Sequence, residues 1–319
     1  MSELLEVVNL KAYYRVPNGN VKAVDGVSFT VSEDDVFGIV GESGCGKSTL
    51  ASSILRLVKP PCYIEGGKVL FEGKDLLDMD EESLRRIRWK DLSYIPQGSM
   101  NSLNPVMKIG DQFADVIMTH ENTNKKEAIA RAVEILNEVD LPEEIVNMYP
   151  HQLSGGMKQR VIIAIATALK PRLIIADEFS TALDVVTQRR VAEFLEERRK
   201  SIGASMINIT HDIALQAEIV KRLAVMYAGK MVEISDVNSI FKEPLHPYTK
   251  GLISATPILG EERKIEGIPG NPPNLINPPP GCRFHPRCSV AEDICKREEP
   301  PLREIQQGRF VACWKYGGI

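Results

Sequence analysis

The sequence predicts an α/β protein built on a parallel sheet, and three observations carry that prediction. An unbroken apolar run, VFGIV (36–40), passes through a glycine-rich turn into LASSILRLV (50–58), whose apolar residues recur at helical spacing. Two more apolar runs, LIIA (173–176) and SMINI (205–209), flank the helical pattern TQRRVAEFLEERRKSI (187–202), which is the βαβ rhythm of parallel strands. No internal repeat occurs at any solenoid period.

Taken in order, Val21 to Asp25 and Val27 to Val31 read as short strands separated by turn residues, and Val36 to Val40 as a buried one. The stretch KKEAIARAVEILNEV (125–139) places Ile129, Val133, Leu136 and Val139 on one helical face. GGMKQRVIIAIATAL (155–169) continues helically after a Ser-Gly-Gly start, so the middle of the chain is mostly helical. From 267 to 281, GIPGNPPNLINPPPG, six of fifteen residues are proline, which suits a stiff extended connector. A cysteine-rich tail, 282–319, follows.

With 319 residues, 43% hydrophobic and 26% charged, the chain has material for one large core with an appendage or for two modest domains. A formal net charge of -4 gives no electrostatic footprint for nucleic acid. The start, MSELLEVVNL, lacks a basic region followed by an apolar one, and runs such as VIIAIA (161–166) are far too short to span a bilayer. The expectation is a chain that stays in the cytoplasm, where its cysteines remain reduced.

The turn itself, GESGCGKS, fits G-x-x-x-x-G-K-[ST] through Gly41, Gly46, Lys47 and Ser48. Backbone N–H groups of such a loop cradle phosphate oxygens, the lysine reaches the β and γ phosphates, and the hydroxyl ligates Mg²⁺. Cys45 reads as a small loop-filling residue. LIIADE ends a strand in two carboxylates: Asp177 is placed to hold Mg²⁺ and Glu178 to polarise an attacking water. Gln97 in YIPQ and His211 in NITHD follow strand-like runs and belong at the same carboxyl edge. LSGGMKQR (153–160) opens a helix with a second anion site, and two such sites for one bound nucleotide suggest a dimer.

At this point the sequence resembles the ATP-binding cassette (ABC) family, with GESGCGKST, YIPQ, LSGGMKQR, LIIADE, STALD and NITHD in the family's order and spacing. The resemblance implies a P-loop NTPase cassette over 1–240, with a RecA-like core, an antiparallel β subdomain and a helical subdomain at about 98–168. A small cysteine-containing C-terminal extension, 241–319, completes it. Carried over by position, Gly41, Ser43, Gly44, Gly46, Lys47, Ser48 and Thr49 bind the phosphates of ATP and its Mg²⁺, with Cys45 inside the same loop. Gln97 looks like the glutamine that senses Mg²⁺, Glu178 like the general base and His211 like the switch histidine. Ser154, Gly155 and Gly156 look like the signature that closes on a partner's ATP, and Asp184 like the aspartate at the dimer seam. Tyr14 sits where an aromatic stacks on adenine, with Tyr13 the fallback.

Two departures stand out. Phe179 and Ser180 replace the usual Pro-Thr, so the turn after Glu178 lacks a fixed φ and is expected to survive with adjusted geometry. Asp34-Asp35 replaces the usual Gly-Glu, which a type I turn tolerates.

MNSLNPVMKIGDQ (100–112), FKEPLHPYTKGLISATP (241–257) and CRFHPRCSVAEDICKREEPPL (282–302) are similar to the oligopeptide and dipeptide importer subgroup. That implies two membrane permeases, a second cassette that is a paralogous or identical chain, an extracytoplasmic binding protein, and a place at the cytoplasmic face of the membrane. Oligosaccharide or metal-chelate cargo stays open. A soluble ABC ATPase acting on nucleic acid or ribosomes is the competing reading, but such chains carry two cassettes or long coiled-coil insertions. The tail's Cys282, Cys288, Cys295 and Cys313, with cations nearby, have the number to hold a 4Fe-4S cluster, a tetrahedral Zn²⁺, or to stay reduced and structural.

Overall fold

A computed structural model describes residues 3–98, 101–179, 184–256 and 267–316. The chain divides into two compact units, one made of 1–78 and 208–319, the other of 79–207.

The first unit opens with β1 (Glu3–Val16) and β2 (Gly19–Ser32), each a single long strand. The two short strands expected before residue 32 are thus one, because register shifts along the β1–β2 pair absorb the polar interruptions without ending the ladder. β3 (Val36–Val40) is buried at every residue and leads through the glycine loop into α1 (Lys47–Ile54). The helical pattern read to residue 58 stops earlier, since Arg56 adopts φ 50, which no helix continues through. β4 (Cys62–Phe71) and β5 (Lys74–Asp75) complete an antiparallel sheet of order β2-β1-β4-β5.

The turn before β3 differs from the type I turn expected. Asp34 stands at φ 55, a left-handed conformation in place of that turn's negative φ, and Asp tolerates it better than most residues. Asp35 is buried and accepts a hydrogen bond from Arg222 Nη1 at 2.9 Å.

The second unit contains α2 (Glu81–Ile87), β6 (Leu92–Ile95), α3 (Ile109–His120), α4 (Lys125–Glu138), α5 (Gly155–Ala166), β7 (Leu173–Asp177) and α6 (Val185–Ile202). β6 and β7 pair in parallel, as the βαβ rhythm requires. Asn124 and Glu127 form a reciprocal capping box that starts α4. Its buried stripe is Ala128, Ala132, Ile135, Leu136 and Val139, whereas Ile129 and Val133 lie at the margin. Small alanines, which carry little weight in a hydrophobicity pattern, are what pack here, Ala128 clustering with Ala114 and Ile117 of α3.

In β8 (Ser205–Ile209) the chain passes back to the first unit, where α7 (Ile213–Ile219), β9 (Arg222–Tyr227), β10 (Lys230–Asp236), α8 (Val237–Lys242) and α9 (Pro247–Ser254) follow. The tail adds α10 (Asp293–Arg297), β11 (Arg303–Gln306) and β12 (Arg309–Val311). Strand order within this unit is β11-β12-β10-β9-β3: β3 runs parallel to β9, and the tail strands extend the sheet antiparallel at β10. Among the described residues no helix is long and apolar enough to cross a membrane.

Candidate nucleotide site

In the first unit the phosphate-type loop links β3 to α1. Gly46 sits at φ 109 as the N-cap of α1 and offers no side-chain cap. No side chain at the cap thus competes for the first helical N–H groups, which lie at the positive end of the helix dipole. Lys47 is buried, and its Nζ donates to the carbonyls of Gly41 (2.7 Å) and Glu42 (3.1 Å), lying folded back along the loop that the phosphates would occupy. Ser43 and Gly44 are exposed on the loop, with Ser48 and Thr49 half-buried on the first helical turn. Cys45 points into the core, burial raising its thiol pKa, and Lys47 Nζ lies 3.8 Å from its Sγ.

Of the two tyrosines considered for adenine, Tyr14 is half-buried with its hydroxyl 3.0 Å from Thr49 Oγ1 on α1. Tyr13 is buried, its hydroxyl donating to Asp25 Oδ1 at 2.6 Å, so its ring has no free face for a base. His211 is exposed just beyond β8, and the next residue, Asp212, caps α7.

In the second unit Asp177 is the last residue of β7, has no solvent exposure, and accepts a hydrogen bond from Tyr94 Oη at 3.1 Å. Glu178 follows at φ 43, a left-handed backbone that points its carboxylate out of the strand's alternation. Gln97 Nε2 donates to Glu178 Oε2 at 2.8 Å. The pair joins two loops that the sequence separates by 81 positions. Phe179 is buried after it, and Ser180 lies outside the described residues together with the rest of STALD up to Leu183.

Ser154 caps α5, its Oγ accepting the Met157 N–H at 3.3 Å. Gly155 is exposed, and a Cβ on Gly156 would meet nothing within 4 Å, so packing within the chain does not demand glycine there. Asp184 is exposed and caps α6 by accepting from the Thr187 N–H (3.0 Å) and hydroxyl (2.6 Å). Those hydrogen bonds hold its carboxyl below the usual aspartate range.

All four tail cysteines line one small cavity of about 20 Å³, along with His246, Phe284 and Trp314. Burial raises the thiol pKa values of Cys288 and Cys313 and pushes that of Cys282 up to about 11. The donor set is right for zinc or an iron–sulfur cluster, and a cation in the cavity would reverse that preference for the protonated thiol. Even so, no group of three or more His, Cys, Asp or Glu side chains among the described residues is gathered closely enough to hold a metal ion. The space as packed suits one ion or water; a cubane cluster requires the thiols to turn outward.

The roles of two residues around the loop escaped the sequence reading. Tyr248 Oη accepts the Glu42 N–H at 2.9 Å, and Arg287 clasps the Glu42 carboxylate with two hydrogen bonds at 2.8 and 2.9 Å. These contacts bridge more than 200 positions, and no local pattern marks them.

Residues 24–181 match the family described as ABC transporter, and 232–295 match the family described as oligopeptide/dipeptide transporter, C-terminal region. A dipeptide transport ATP-binding protein, DppD, of Caldanaerobacter subterraneus subsp. tengcongensis is 46% identical over 99% of this chain and 98% of its own length. An oligopeptide transport ATP-binding protein, OppD, of Bacillus subtilis is 44% identical over 98% of this chain and 89% of its own. The dimeric structure of the ATP-binding cassette MJ0796 in a post-hydrolysis state, bound to ADP and Pi, is similar with a TM-score of 0.64 at 27% identity. It covers 73% of this chain and 98% of that one.

Proposed function

The chain belongs to the ABC transporter family, and on that premise we propose that it is the subunit that binds and hydrolyses ATP to power peptide import across the cytoplasmic membrane. What carries this reading is the likeness, along nearly the whole length, to dipeptide and oligopeptide transport ATP-binding proteins, the C-terminal region included. The cassette occupies 1–240, with its helical subdomain at about 98–168, and 241–319 is the importer-type extension.

By position in the family's motifs, Gly41, Ser43, Gly44, Gly46, Lys47, Ser48 and Thr49 bind the triphosphate, and Tyr14 stacks on adenine. Ser48, Gln97 and Asp177 hold Mg²⁺, which supplies charge neutralisation at the phosphates. Glu178 accepts the proton of the attacking water as its oxygen bonds to the γ-phosphorus and the bond to the ADP oxygen breaks. Such a base contributes roughly 10²- to 10⁴-fold in rate. The loop N–H groups and Lys47 offset the negative charge, and His211 contacts the γ-phosphate. Lys47 must leave the Gly41 and Glu42 carbonyls to do so, exchanging two neutral acceptors for charged ones.

The chain works as one of two cassettes, paralogous or identical. Ser154, Gly155 and Gly156 of each cover the γ-phosphate held by the other, with Asp184 at the seam. Two permeases at the cytoplasmic face of the membrane receive the motion, and an extracytoplasmic protein delivers the peptide. Closure on ATP shifts the population of permease states. Cys282, Cys288, Cys295 and Cys313, once rearranged from the packing described above, would hold a metal, a 4Fe-4S cluster ahead of zinc, that staples a tail too small for a core of its own.

The decisive experiment is a mild-detergent pull-down of the tagged chain from native membranes, read by mass spectrometry. Two permeases and a second cassette are expected. Recovery in the soluble fraction with ribosomes or nucleic-acid enzymes would overturn the transport reading.

A further inference from the structure

Glu42 occupies an unspecified position of the phosphate-binding motif, and a carboxylate there is unfavourable beside a triphosphate. The fold does not leave it alone. Arg287 Nη1 and Nη2 grip its two oxygens in a bidentate pair, while Tyr248 Oη accepts its backbone N–H.

The guanidinium is itself fixed on every side. Its side chain is 5% exposed, lies over the rings of Tyr227 and Phe284, and donates through Nε to the Pro269 carbonyl at 2.8 Å. Tyr227, Tyr248 and Phe284 form one contiguous ring cluster beneath it. A fork held this firmly loses little freedom on pairing, so it determines where Glu42 sits.

We propose that Arg287 is a positioning residue of the nucleotide site. It neutralises Glu42 beside the phosphates, so ATP affinity depends on the C-terminal tail that carries this guanidinium, while Tyr248 holds the entry arm through the Glu42 backbone N–H whatever the charge at position 42. The proposal rests on the reading of residues 41–49 as the ATP site.

The test is ATP displacement of a fluorescent nucleotide from the full chain, at low and high salt, for wild type, Arg287→Ala, Glu42→Gln and the double variant. Freeing one carboxylate beside a polyphosphate weakens binding about ten-fold at low salt, less at high salt. Arg287→Ala should show that salt-dependent loss. The double variant, having no free carboxylate, should return to within about three-fold of wild type. Recovery of that kind excludes a tail that has simply unfolded. Glu42→Gln leaves the tail intact and should bind ATP no more weakly than wild type.

Wild-type affinity in Arg287→Ala, a double variant as weak as Arg287→Ala, or a ten-fold loss in Glu42→Gln alone would each overturn the proposal. If Arg287→Ala does not fold, Arg287→Lys, which keeps the charge, and Arg287→Gln, which removes it, make the same comparison: a salt-dependent loss confined to Arg287→Gln supports the proposal, and equal affinity in the two overturns it. A wild-type chain that binds no ATP would instead sink the reading of the site itself.

Discussion

Glu178 offers a test in which structure and chemistry predict separate outcomes from one position. Its φ of 43 is a left-handed backbone, which costs a non-glycine residue roughly 1–2 kcal/mol. Ordinarily a glycine is less stable than an alanine by about 0.5–1 kcal/mol, because the unfolded chain is freer. At this position the order should reverse, Glu178→Gly being more stable than Glu178→Ala by about 1 kcal/mol. The hydrogen bond from Gln97 is lost in both variants and cancels in the comparison. Urea unfolding of the two proteins side by side reads the difference, which corresponds to about 2–4 °C in Tm for a domain of this size. Both variants lack the carboxylate, so steady phosphate release should fall roughly 10²- to 10⁴-fold in each. An alanine variant as stable as the glycine one would refute the backbone argument. Undiminished turnover in either would refute the catalytic one.

Three further outcomes can be checked. Gly46→Ala would place a Cβ 1.9 Å from the Ala23 carbonyl oxygen at φ 109, forcing a shift of about 1 Å in the loop or its neighbour. A misplacement of that order costs about 100-fold in the rate of ATP hydrolysis, read as steady phosphate release. His246 is fully buried and pushed down to about 3 by burial, so it is neutral in the folded chain, where its Nδ1 accepts the Tyr248 N–H. A folded pKa below the unfolded one gives stability that is present above the ordinary value of about 6.5 and lost as pH falls toward 3. Between pH 7 and 5 the loss should be about 2 kcal/mol, and His246→Asn, which keeps an acceptor without titrating there, should flatten the urea-unfolding dependence. Anaerobically purified protein should carry about four iron atoms per chain, lost in Cys288→Ser, whereas stoichiometric zinc would select the tetrahedral alternative. A chain with neither metal ends the assignment.

Legibility from sequence followed the range of the interaction. The strand ends that carry the candidate site residues were readable because each strand is a run of apolar residues, as in Val36–Val40 and Leu173–Asp177, both buried throughout. The start of α5 was readable from Ser154, a short polar cap that acts within three residues. What escaped was non-local. The polar interruptions in Gly19–Ser32 look like turns until the register shifts against β1 are known. Pairing of Arg309–Val311 with β10 has no signature in a tail of short apolar stretches. The burial of Tyr13, whose hydroxyl donates to Asp25 twelve positions away, was likewise not legible from the adjacent pair of tyrosines.

The second unit interrupts the first, whose residues come from 1–78 and 208–319. During synthesis this imposes an order of events. At about 5–20 residues per second, the 245 positions between Glu42 and Arg287 take on the order of 10–50 s to emerge. Throughout that interval the phosphate loop exists without its clamp, and residues 79–207 are complete, and free to fold, 80 positions before Arg287 emerges. The nascent chain thus gains its anchored loop only when the tail arrives, so a ribosome that stops early releases a cassette with the ATP motif present and its clamp missing.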